Sequence, residues 1–187
     1  MATTSLVVEL LIVGFFMVVW LVLWSVRLSL IDLEFLKQLS AFAQSLPGLM
    51  FITALSYQLG VAMNGISYTI TKRFGPTHYR SQIDPGVSFE AIKTKLLLEA
   101  SQELNQVLTL RLSVVRLTRT GIVNFGLISA AMFSFGGKIA MAGIVPLFIA
   151  AICAVGWRRA YRLYYGKVAY AYHELTKRPL NEAVYGK

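Results

Sequence analysis

Four stretches of this chain carry almost no charge, and nearly all of its Lys and Arg lie between or after them: 6–26, 46–70, 121–137 and 139–157. Each is long enough, or nearly so, to cross a hydrocarbon core of about 30 Å at about 1.5 Å per helical residue. Glu9 is the one ionisable residue inside a block, and it lies near an end. The pattern predicts an all-α polytopic membrane protein with four transmembrane helices. Composition points the same way. Mean hydropathy is +0.61 and only 14% of residues are charged, against about 25% in a soluble domain. The first block is too long for an ordinary signal-peptide core, and no Lys or Arg precedes it, so no cleavable leader is expected. Cys153 is alone and forms no intrachain disulfide.

Charge sets the expected topology. The connection 27–45 is neutral, the connection 72–119 carries +4, the third turn holds only Lys138, and the tail from 158 carries +5. Basic flanks stay on the cytoplasmic side, so both termini are expected there, in a cell inner membrane. Trp20 and Trp24 precede Arg27 and Trp157 precedes Arg158, positions that suit an interfacial aromatic belt. The excess positive charge is therefore assigned to topology and to anionic lipid headgroups. Direct nucleic-acid binding is not expected, because no zinc-finger, helix-turn-helix or RNP-like pattern accompanies the charge.

The blocks differ in what they offer. The first has no polar stripe, which predicts a lipid-facing helix with Glu9 as a solvated or capping carboxylate rather than a proton relay. In the second, Thr53, Ser56, Gly60, Asn64, Ser67 and Thr71 recur every three or four residues and share one helix face. That face either packs against neighbouring helices or lines a wet cavity formed by several copies. The third block begins at Gly121 and turns at Gly136-Gly137-Lys138 into the fourth, giving an antiparallel hairpin. Pro146, midway along the fourth, predicts a kink or a gating hinge.

The segments between and after the blocks read as helical. Ser88, or Asp84 with Pro85 following, is placed to cap a helix. From there Ile92, Leu96, Ala100, Leu104, Val107, Leu110 and Val114 make an apolar stripe, predicting one amphipathic helix of roughly thirty residues jointed at Gly121. The tail offers a seam of Tyr161, Tyr165, Val168, Tyr172 and Leu175, with Lys177-Arg178-Pro179 as its stop. Arg116, Arg119, Arg158, Arg159 and Arg162 form an expected basic collar for a soluble acidic partner or for lipid. The organisation expected is a first hairpin (1–71), a cytoplasmic loop (72–120), a second hairpin (121–157) and a basic tail (158–187). No nucleophile elbow, phosphate loop, dinucleotide fingerprint or metalloprotease motif is present in the sequence. His78, His173 and Cys153 do not make an ordinary zinc site. Neither catalysis, a metal nor a cofactor is expected.

The size, the four spans, the cytoplasmic helix 87–119 and its run Leu117-Thr118-Arg119-Thr120-Gly121 into the second hairpin resemble small four-helix membrane proteins of bacterial anti-phage defence operons. The membrane component of Kiwa is of this kind, and the layout also resembles doubled relatives of SLATT-type effectors. The resemblance covers the chain as a layout. It implies a pore-forming or membrane-sensing homo-oligomer that works with a soluble partner. A different reading of the same features is a structural subunit of a larger secretion, conjugation or transport complex.

Overall fold

The computed structural model describes residues 2–72, 83 and 87–176. Among these, the ordered elements are all helices: α1 (Ala2–Arg27), α2 (Leu33–Ala43), α3 (Leu46–Thr71), α4 (Phe89–Glu99), α5 (Gln102–Phe135), α6 (Gly137–Ala142) and α7 (Ile144–Thr176). Three stretches are long and apolar enough to cross a membrane: Leu6–Arg27, Leu46–Thr71 and Gly137–Thr176. The block 121–137 is not among them. It forms the second half of α5, whose first half is polar.

Close approaches fix the helix directions. Gly14 of α1 meets the backbone of Ser56 and Gly60 in α3, and Gly60 meets the carbonyl of Leu10, so these two helices run antiparallel. Asn124 Nδ2 donates to the Val13 carbonyl at 3.1 Å and Arg27 Nε to the Ser134 carbonyl at 2.8 Å. Those contacts make α1 and α5 parallel. Ser129 Oγ donates to the Gly143 carbonyl at 2.8 Å, while Gly121 faces Cys153, so α7 returns antiparallel along α5. The reversal uses Gly136 (φ 75°) and Gly137 (φ 55°), a conformation that costs glycine little.

Several elements depart from the sequence expectation. α1 is two-faced: Leu10, Val13 and Met17 are buried where Gly14 lets α3 cross it backbone to backbone, while Val7, Val8, Ile12 and Phe15 stay exposed on the other side. The long amphipathic helix is broken at Ala100, which is extended (ψ 155°), and Ser101 restarts the chain as α5 by accepting from the Leu104 N–H at 3.3 Å. Gly121 is no joint, and α5 runs through it. Pro146 lies in the first turn of α7, after the turn at Gly143. Helical bonds close on either side of it, from the Gly143 N–H to the Ile139 carbonyl and from the Leu147 N–H to the Gly143 carbonyl, so the stretch Gly137–Thr176 is interrupted one turn before the residue that has no N–H to give. The tail helix is the direct continuation of α7. Its expected stop at Lys177-Arg178-Pro179 lies outside the described residues. The connection 27–45 contains α2, capped by Asp32 accepting from the Phe35 N–H at 2.7 Å.

Two apolar clusters hold the described residues together. Val13, Met17 and Met63, with Trp20, Leu59 and Leu117 around them, lie between α1, α3 and α5. Ile92, Leu96, Val115, Trp157, Tyr165, Val168 and Tyr172 join α4, α5 and α7. Elsewhere the long helices point large apolar side chains outward, Phe15, Met50, Phe148 and Val155 among them. An apolar surface of this extent is a liability in water and suits a hydrocarbon solvent.

Candidate functional site at the basic end of the bundle

The helix directions bring the start of α1, the end of α3 and the middles of α5 and α7 to one end of the bundle. Arg116 and Arg119 come from α5, Arg158, Arg159 and Arg162 from α7, and Lys72 follows α3. They do not form one cluster. Arg119 turns inward: its Nη2 donates to the Asn64 carbonyl at 3.3 Å and also to Asn64 Oδ1, and its Cζ lies 5.2 Å from the centre of the Tyr68 ring. Burial, and next the neighbouring Arg116, push its guanidinium below the ordinary arginine value. It nonetheless stays a cation at neutral pH. Arg158, Arg159 and Arg162 point outward and are exposed. Among the described residues none of the three is ion-paired; the pairs found there are Lys37–Glu34, Lys93–Glu90 and Lys95–Glu99.

Glu9 is 4% exposed and stands within electrostatic reach of Arg116 and Arg119. Its Oε2 has no hydrogen-bond partner. It is thus an inward group of the bundle, not a solvated cap. The second-block face divides. Ser56, Gly60 and Ser67 are buried, whereas Thr53 is exposed and donates to its own helix at the Leu49 carbonyl, 2.8 Å away. Ser67 Oγ donates to the Asn64 carbonyl at 3.1 Å. These contacts all lie within one chain.

One polar group of the interior takes both of its partners from another helix. Asn124 is 1% exposed; beyond its bond to Val13, its Oδ1 accepts from Trp20 Nε1 at 3.1 Å. Trp20 is half-buried and is tied to the bundle by this bond. Trp157 is buried, with the Tyr161 ring 5.8 Å away. In the sequence Asn124 stands with Gly126, Ser129, Ala130 and Ser134 as the small and polar residues that mark the third block as a packing helix; its partners Val13 and Trp20 lie more than a hundred residues away in the chain. His173 Nε2 donates to the Ile83 carbonyl at 3.1 Å, and His78 lies outside the described residues. Among the described residues no group of three His, Cys, Asp or Glu is placed to hold a metal ion.

The chain matches no protein-family model, no curated protein and no solved structure. Among the described residues, what the fold itself defines is an all-helical architecture with three helices long and apolar enough to cross a membrane.

Proposed function

We propose that this is a non-enzymatic integral membrane protein of the inner membrane, crossing four times with both termini in the cytoplasm, whose exposed arginines dock an acidic soluble partner. The fourth crossing is supported by the flanking of residues 121–135. They lie beside α1 from Val13 to Arg27 and beside α7 from Gly143 to Cys153. A segment held between two spans shares their depth. The orientation rests on the basic end of the bundle and the positive-inside bias. Single cysteines test it in a Cys153→Ala background. Ser40→Cys on α2 should react with a membrane-impermeant thiol reagent in intact spheroplasts, and Gln102→Cys only after lysis. Reaction of Gln102→Cys in intact spheroplasts overturns the orientation.

The observation that carries the docking role is the set Arg158, Arg159 and Arg162, exposed and without ion pairs among the described residues, on a helix that continues a candidate span. The layout shared with membrane components of anti-phage defence operons supports a partner encoded beside this chain, and assembly of several copies into a membrane-perturbing oligomer. Reversing all three arginines to Glu should weaken capture of that partner on the order of a hundredfold, because juxtaposed like charges cost several kcal/mol. Wild-type capture should also fall with salt as the Debye length shrinks from about 10 Å at 0.1 M to about 3 Å at 1 M. Normal capture by the reversed variant, with insertion verified by the labelling above, removes the docking role.

A further inference from the structure

We propose that a pocket between α3, α5 and α7 binds a phosphoryl anion. It has a volume of about 100 Å³ and is lined by Thr71, Lys72, Arg119, Trp157 and Tyr161, with further tyrosines and two aliphatic side chains completing its wall. That volume holds a few waters or one tetrahedral anion. No carboxylate lines it among the described residues. Its charged and indole groups are donors only: the lysine ammonium, the arginine guanidinium and the indole N–H accept nothing.

Two of those donors lack an acceptor. Trp157 is 5% exposed and its Nε1 has no partner, and Arg119 Nε has none either. A buried donor without an acceptor pays its desolvation without return, and an anion in the pocket gives both one. The site is also preorganised. Arg119 is already held by Asn64 and by the Tyr68 ring, so binding orders little. Donors reach the pocket from three separate elements, which matches a group with oxygens on several sides better than a monatomic ion, and Arg with Lys is a pairing suited to phosphate. The phosphoryl group belongs either to a lipid headgroup or to a soluble phosphate. The pocket is distinct from Arg158, Arg159 and Arg162, so it stands or falls separately from partner docking.

The test uses the full chain. Inorganic phosphate is titrated, at constant ionic strength made up with chloride, into protein in neutral detergent. In parallel, the chain is placed in nanodiscs of phosphatidylcholine with or without phosphatidylglycerol, and lipid retention is read by native mass spectrometry. Saturation by phosphate in detergent assigns a soluble phosphate. Selective retention of phosphatidylglycerol without a response to phosphate assigns a headgroup. Trp157→Phe keeps an aromatic ring and removes the N–H, and should weaken binding about tenfold, the usual effect of losing one hydrogen bond to a charged group. Lys72→Gln, at an exposed position that leaves folding intact, should do the same, and Trp24→Phe should change nothing. Binding no stronger than chloride in both arms, or wild-type binding by both Trp157→Phe and Lys72→Gln, overturns the site.

Discussion

Gly60→Leu should separate α3 from α1 and destabilise the chain by about 3 kcal/mol, the upper end of the usual overpacking range. The reason is that no side chain is available to move. A Cβ at Gly60 would stand 1.9 Å from the Leu10 carbonyl oxygen, and one at Gly14 would stand 1.6 Å from that of Ser56. Rotamer changes do not relieve a clash between Cβ and backbone, so the helices must part and lose the packing of Val13 and Met17 on Met63. Even Gly60→Ala should destabilise, although alanine is the better helix former by about 1 kcal/mol. Gly65 supplies the contrast. Nothing lies within 4 Å of a Cβ there, so Gly65→Ala should be neutral or stabilising by up to about 1 kcal/mol. Unfolding in mixed micelles with rising dodecyl sulfate, followed by circular dichroism, reads all three. Equal stability of Gly60→Ala and Gly65→Ala would mean that α1 and α3 do not cross here. A Gly60→Leu chain that keeps its stability but loses self-association would move the contact from within the chain to between chains.

The features legible in the sequence are those carried by local chemistry. Ser88 caps α4 by accepting from the Ala91 N–H, Pro47 sits in the first turn of α3, and the paired glycines at 136 and 137 mark a reversal. The inward set Tyr165, Val168 and Tyr172 follows from helical period alone. What stayed hidden depends on partners far away in the chain. In a uniformly apolar α1 no polar stripe picks out a face, so the role of Gly14 appears only when α3 crosses it. Ser101 is a good cap, but Leu96, Ala100 and Leu104 keep helical spacing across it, and the period conceals the break. Asp32, Glu34 and Lys37 made α2 look like a polar connection. Lys72, Arg119 and Trp157 converge on one pocket only because three helices end or pass at the same level.

The amide of Asn124 is the polar contact on which the pairing of α1 with α5 should depend most. Asn124→Ala removes the second donor to the Val13 carbonyl, which lies mid-way along α1, leaves Trp20 Nε1 without its partner and opens a small void at a site that is 1% exposed. Between helices in a bilayer a hydrogen bond is worth about 0.6 kcal/mol on average and about 1.7 at most, because the dissociated helices find other partners. Two such bonds and the void together give an expected loss of about 2 kcal/mol. A double-mutant cycle separates these contributions. Trp20→Phe removes the indole donor while keeping an aromatic ring against Met17 and Met63. In a chain already carrying Asn124→Ala it should cost less than in the wild type, with a coupling of about 0.5–1.5 kcal/mol. The same dodecyl sulfate titration measures all four corners. Asn124→Leu refines the reading, since it restores volume without polarity: recovery of most of the loss would assign it to the void, and no recovery to the two lost hydrogen bonds. Additivity of Asn124→Ala and Trp20→Phe within about 0.3 kcal/mol would show that the 3.1 Å contact between them contributes nothing and that apolar packing alone holds α1 on α5.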